Sequence, residues 1–234
     1  MLKINKTVTA SPEQLEIVVE GMRNPYNSWD LMDSSIEHIE NPDTMNEAPW
    51  QFHLGEKDHD LMMRLAKGGP VHAKYRRMIP VWVTITAPLY WWKEFDTYKV
   101  GTVCNSCSTM HKIAAKEFVP DDFSWERTDY SYWTVEAKAH IIDALNKARR
   151  NYLAAKEVKA PNTAKTYWDT MIQLLPSSYN QTRTIMLTYE VLHNIYESRE
   201  GHPLSEWKIF LRWIETLPYS DLITGEVVGD GENP

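Results

Sequence analysis

Cys104 and Cys107 are separated by two residues, and His111 follows four positions later. Thiolate and imidazole so spaced invite a zinc or redox reading. A closed zinc site takes four ligands and this stretch offers three, so the fourth would come from elsewhere in the chain or from a neighbouring subunit. Two ordinary reduced cysteines, with no metal, are the simpler reading, and two are too few for a disulfide scaffold. Lys74, Arg76 and Arg77 form the densest basic cluster. Turned inward they would meet an anion such as a phosphate; turned outward they are a solvated surface. Tyr90, Trp91, Trp92 and Tyr98 would stack on a flat ring ligand or fill a core or interface, and the chain's ten Trp, twelve Tyr and five Phe leave that choice open.

Elements must position these groups. Ser11-Pro12-Glu13-Gln14 reads as a helix start, with a hydroxyl cap, proline at the first helical position and an acid in the first turn; Leu15, Val18 and Val19 supply its apolar face. Residues 24–55 show little periodicity and many turn formers, so they read as loop with short helical pieces, and residues 1–57 as a variable arm or lid. Leu61, Met62 and Leu65 place a helix over Asp58–Ala66, ended by Gly68-Gly69-Pro70. Val81, Val83 and Ile85 share one face of a strand over Val81–Thr86. Pro88 opens the next helix. Phe118-Val119-Pro120 reads as extended, and Thr134 as the cap of a long helix in which Ile141, Leu145, Ala148 and Tyr152 form a stripe. Further helices are expected over Thr163–Leu174, over Thr182–Ser198 before Gly201, and from Pro203 to just before Pro218. Leu187, Val191, Asn194 and Ser198 would then share one stripe. With no repeat or linker, residues 1–224 read as a single α+β domain, mostly helical in its second half, followed by a disordered acidic tail at 225–234.

A chain of 234 residues with 43% hydrophobic side chains can bury a sizeable core. Its net charge of −7 argues against non-specific nucleic-acid binding, which needs clustered cations. No run of eighteen apolar residues and no signal peptide is visible, so no membrane partner and a cytoplasmic location are expected.

Three stretches go further. Ala87-Pro88-Leu89-Tyr90 precedes Lys93-Glu94-Phe95; Asn105-Ser106-Cys107-Ser108-Thr109-Met110-His111 is followed by Phe118-Val119-Pro120; and Leu175-Pro176 leads through 189–198 to Arg199, Glu206 and Trp207. In order and spacing these resemble the flavin-dependent thymidylate synthases over roughly Asp58–Gly225. The resemblance implies an antiparallel sheet flanked by helices and a homotetramer whose active sites form where subunits meet. It also implies FAD, a pyrimidine nucleotide (deoxyuridylate), and NADPH with methylene-tetrahydrofolate as co-substrates: a transferase of nucleotide biosynthesis that methylates C5 reductively. Such chemistry needs no protein nucleophile; side chains position and polarise.

Residue by residue, the resemblance implies that Arg199 is the catalytic group, stabilising charge on the pyrimidine. Taken alone, Arg199 is a cation at a helix C-terminus. Ser108 and Ser106, with Lys99 and Glu94, fall at substrate-binding positions; Asn194, Thr188 and His202 fall at or beside cofactor-binding ones. Several positions depart from the pattern. The hallmark Arg-His-Arg appears as Thr97-Tyr98-Lys99, Met110 and Ile172 replace arginines, Glu94 replaces a glutamine, and Glu190 reverses another arginine. Each lost guanidinium removes a charge-assisted hydrogen bond worth about 1.5–3 kcal/mol where buried. Lys74, Arg76 and Arg77 are the cluster available to compensate. A non-catalytic homologue, using the fold for ligand sensing or protein assembly, is the alternative reading.

Overall fold

Alternating burial builds the strands and capped, striped segments build the helices of the structure, a computed structural model that describes residues 1–38 and 50–225. In chain order the elements begin with β1 (Lys3–Thr9), α1 (Pro12–Arg23), β2 (Ser35–His38), β3 (Trp50–His53), α2 (Glu56–Lys67), β4 (Pro80–Pro88) and α3 (Leu89–Phe95). They continue with β5 (Val103–Ser106), α4 (Thr109–Lys112), α5 (Tyr132–Glu157), α6 (Pro161–Leu174), β6 (Asn180–Thr188), α7 (Tyr189–Arg199), α8 (Ser205–Glu215) and α9 (Asp221–Thr224). Short 3-10 turns cover Asn24–Tyr26, Trp29–Leu31, Lys74–Met78 and Pro120–Asp122. One sheet has the order β1-β4-β6-β5 and a second pairs β2 with β3. Thr84 Oγ1 meets Thr184 Oγ1 and Thr86 Oγ1 meets Thr182 Oγ1, so β4 and β6 run antiparallel. The fold is α+β, an antiparallel sheet with helices, as expected. No described helix is long and apolar enough to cross a membrane.

The chain divides into two compact units. The first comprises Met1–Asn5, Thr84–Thr97 and Asn105–Thr184. Its core gathers Ile113, Phe118, Phe123, Leu145, Ala148 and Met171, with Ile141 and Tyr152 packed against them, so the expected α5 stripe does face the core. The helix starts earlier than expected: Ser131, not Thr134, is the cap, its hydroxyl accepting from the Thr134 amide at 3.3 Å.

The second unit comprises the described residues of Lys6–Val83, Tyr98–Cys104 and Ile185–Pro234. Ser11 and Gln14 form a reciprocal capping box at α1, which buries Val18, Val19 and Met22. The arm before α2 is more ordered than a loop with helical pieces. It contains the β2–β3 pair, in register from Ser35 opposite His53 to His38 opposite Trp50. A buried ion pair anchors it. Arg23 donates from Nε to Asp58, whose other oxygen accepts from the Asp33 amide (3.0 Å), the Ser34 amide (2.9 Å) and the Ser34 hydroxyl (2.7 Å). Asp33 in turn caps α2 by accepting from the amides of Lys57 and Asp58. Burial works to raise the Asp33 pKa, yet those amides outweigh it and hold the carboxyl below its ordinary value. A Cβ on Gly55 would fall 2.2 Å from that carboxylate, so only glycine fits there.

The largest departure from expectation is β6. A helix from Thr182 was expected, but Asn180–Thr188 is a strand and the helix begins at Tyr189. Thr182, Thr184, Ile185 and Thr188 are β-branched, and Ile185 and Leu187 alternate into the core as Val81, Val83 and Ile85 do in β4. Leu187 therefore shares no helical stripe with Val191 and Asn194. The expected disordered tail lies, apart from Gly225, outside the described residues.

Two predictions follow from these anchors. Asp58→Ala strands a buried guanidinium and should lower unfolding free energy in urea by about 3–5 kcal/mol; a loss below about 1 kcal/mol would show that the pair is not the anchor. Tyr75, buried with its hydroxyl donating to Met62 O at 3.0 Å, has its pKa pushed up to about 12 by burial, with Arg76 opposing. The unfolded phenol ionises near 10, so folded protein keeps a proton that unfolded protein loses. This contribution is intact below pH 10 and should fall by about 2–3 kcal/mol as pH rises to 12. Urea midpoints measured across that window should decline less in Tyr75→Phe.

Candidate functional site

In the first unit, β6 and the α4 turn frame a cavity of about 380 Å³ whose lining sets the hydroxyls of Thr86, Ser108 and Thr182 and the amide of Gln181 beside two lysines, Lys112 and Lys116, and two carboxylates, Asp121 and Asp122. Ser108 lies at its rim because it caps α4. Its hydroxyl accepts from the His111 amide at 3.1 Å and its carbonyl from the Lys112 amide at 3.1 Å. The preceding residue is tied to the sheet, the Cys107 amide donating to Thr182 O at 2.9 Å. Lys116 pairs with Asp122, while Lys112 is exposed. Burial raises the pKa of Tyr179 at the cavity wall; Asp122 adds to the rise and Lys116 opposes it. Its phenol thus stays a neutral donor through the physiological range. Ser106 lies on exposed β5 and Glu94 in half-buried α3, and neither lines this cavity.

In the second unit, Arg199 ends α7 and is half-buried between two rings. Its guanidinium carbon sits 4.6 Å from the Trp207 ring centroid and 5.5 Å from that of Tyr98, and its Nε donates to Tyr98 Oη at 2.9 Å. Tyr98 also shares a hydrogen bond with the Ser198 hydroxyl at 2.7 Å. His202 joins the group: its amide donates to Arg199 O at 3.1 Å and its ring meets Trp207 edge-on. Thr188 is the N-cap of α7, and its side chain makes no capping bond. Lys99 is exposed on the loop leading to Gly101, where φ is +76° and an added Cβ would come 3.1 Å from Val191 Cγ2. Asn194 is exposed, not an amide buried in an apolar stripe.

The basic cluster is split. Lys74 and Arg77 are exposed, with Arg77 donating to Pro70 O, whereas Arg76 is 3% exposed and its Nε has no hydrogen-bond partner among the described residues. Cys104 and Cys107 are exposed and unbridged. Among the described residues no three His, Cys, Asp or Glu side chains gather as a metal site, so Cys104, Cys107 and His111 do not form one.

No family model matches the sequence, and no curated protein does. Solved structures match at the level of the backbone. Thymidylate synthase X (ThyX) from Helicobacter pylori, solved with FAD and dUMP, superposes with a TM-score of 0.61 over 96% of this chain and 97% of its own, at 14% identity. A second structure of the H. pylori flavin-dependent enzyme with FAD and dUMP gives 0.58 over 96% and 98%, also at 14% identity. The UMP/dUMP methylase PolB from Streptomyces cacaoi, bound with 5-Br dUMP, gives 0.55 over 92% and 88%, again at 14% identity. The chain has the fold of ThyX.

On this ThyX-like fold the segment Thr97-Tyr98-Lys99, where the resemblance leads one to expect Arg-His-Arg, makes a specific local contact. Tyr98, the middle residue of Thr97-Tyr98-Lys99, gives Arg199 both an acceptor and a ring face. Neither arginine nor protonated histidine would accept from a guanidinium. Ile172, where the resemblance leads one to expect an arginine, packs against the first unit's apolar core. Sequence reasoning named Tyr98 and Trp207 but not their grip on Arg199, and it passed over Gln181 and Lys112 entirely. Nothing in a single sequence marks a glutamine in a strand or a lysine one turn after a serine as cavity-lining.

Proposed function

We propose that this protein binds a flavin, FAD, and a pyrimidine nucleotide and modifies C5 of the pyrimidine, with reductive methylation of deoxyuridylate as the leading reaction. NADPH and methylene-tetrahydrofolate are the co-substrates, and the working assembly is a homotetramer whose sites draw on neighbouring subunits. The observation that carries this reading is Ser108 at the rim of a hydroxyl-rich cavity, in a chain with a ThyX-like backbone. Ser108, with Ser106 nearby in sequence and Lys112 in the same cavity, takes the phosphate, a hydroxyl and an ammonium being sufficient partners for a phosphoryl oxygen. Arg199, oriented by Tyr98 and Trp207, is the cation that stabilises negative charge developing on the pyrimidine ring. Glu94 and Lys99 complete the substrate contacts.

The residues suit a flavin in hydrogen-bonding character. Thr188 has a hydroxyl that caps nothing, Asn194 an exposed amide, and Arg76 a buried donor without a protein acceptor among the described residues. A bound flavin would supply the redox chemistry that side chains cannot. Asn194, Thr188 and His202 would hold and orient it. A second reading, a non-catalytic homologue for ligand sensing or assembly, is favoured by Ile172 packing into the core where an arginine is expected.

Tritium release from C5-labelled deoxyuridylate separates the two. With FAD, NADPH and methylene-tetrahydrofolate present, the purified protein should release tritium, and Arg199→Ala should abolish the release. A colourless protein that takes up no FAD by absorbance and shows no thermal shift with any pyrimidine nucleotide would overturn the enzymatic reading.

A further inference from the structure

Arg183 sits on β6, and Gln181 and Thr182 on the same strand line the Ser108 cavity. The Arg183 guanidinium carbon lies 4.4 Å from the Trp92 ring centroid, its Nη1 donates to Asp96 at 2.7 Å, and its Nε donates to Gln181 Oε1 at 2.9 Å. Trp92 is itself fixed: fully buried, it donates from Nε1 to Gln181 O at 2.9 Å. Gln181 then reaches the opposite way, its Nε2 donating to Cys107 O at 2.9 Å and to Thr109 Oγ1 at 3.0 Å. Cys107 and Thr109 flank Ser108.

We infer that Arg183 is a positioning residue for the phosphate-binding serine, acting through the amide of Gln181. An arginine Nε–H can only donate and an amide oxygen can only accept, so Arg183 dictates that Oε1 faces it and that the NH₂ faces the loop. The flipped amide would set NH₂ against guanidinium and carbonyl against the Cys107 carbonyl, losing both of those bonds, while the Thr109 hydroxyl can serve either orientation. Asp96 and Trp92 pin the guanidinium by charge and by ring stacking. The Ser108 hydroxyl is thereby held by a chain running from Asp96 through Arg183 and Gln181 to the residues on either side of it. Lysine in place of Arg183 would keep the charge without the planar fork that addresses Asp96 and Gln181 together.

This inference rests on the reading that Ser108 takes the nucleotide phosphate, and the test separates the two. Calorimetric titration of the full chain should show Arg183→Leu weakening deoxyuridylate about tenfold, the loss of one well-aimed hydrogen bond, while deoxyuridine, which lacks the phosphate, is unaffected. Gln181→Glu, which keeps the bond to Arg183 but turns an oxygen toward Cys107 O, should do the same. The Arg183→Leu, Gln181→Leu double variant should be no worse than either single change, because both break one chain of contacts. Equal weakening of both ligands, or additive losses, would overturn the positioning role. Hydrogen exchange gives a readout that needs no ligand. In Arg183→Leu the amides of 107–112 should exchange faster at unchanged global stability, and unchanged exchange there would overturn the inference. Faster exchange in a protein whose wild type ignores deoxyuridylate would leave the relay standing and sink the nucleotide reading.

Discussion

Thr84 opposite Thr184 and Thr86 opposite Thr182 set the register of β4 against β6, and the candidate phosphate cavity exists only in that register. Side chains alternate along a strand, so a slip of one residue would turn Gln181 and Arg183 to the threonine face and Thr182 and Thr184 away from it. The Trp92 bond to Gln181 O, the Cys107 amide bond to Thr182 O and the Gln181 bridge to Thr109 would fail together. Polar pairs between strands are individually modest. Their weight here comes from being mutually dependent: each places the donor or acceptor that the next requires.

The second unit holds its catalytic candidate differently. Arg199 lies against two aromatic faces, and its Nε donates to one phenol oxygen. Ring faces and a phenol oxygen fix the direction in which the guanidinium points. Such a group suits stabilisation of negative charge on a ligand. At Thr97-Tyr98-Lys99, where the sequence resemblance leads one to expect Arg-His-Arg, Tyr98 supplies an acceptor to Arg199, so a binding cost reckoned from absent arginines alone is incomplete.

Much of the fold was legible in the sequence where local chemistry and burial agree. Ser11 with Gln14 announces α1, the Ile141, Leu145, Ala148 and Tyr152 stripe announces α5, and the β-branched run from Val81 announces β4. At β6 the same reasoning failed. A helical stripe through Leu187, Val191, Asn194 and Ser198 was carried back over residues whose β-branching and alternation belong to a strand, because helix and strand meet there with no glycine or proline between them. The β2–β3 pair was hidden by short strands rich in polar residues. Of the site, Arg199 and Ser108 were reached through resemblance, since a terminal arginine and a capping serine have ordinary explanations. Gln181, Arg183 and Lys112 were not reached at all, because their roles depend on which strand lies beside which turn.

The central claim is that the phosphate of a pyrimidine nucleotide is received at Ser108. A crystal structure of the protein grown with deoxyuridylate tests it most directly. The account predicts a phosphoryl oxygen within hydrogen-bond distance of Ser108 Oγ, in the cavity bounded by Gln181, Thr182 and Lys112. A nucleotide bound with its phosphate elsewhere and that cavity holding only solvent would contradict it.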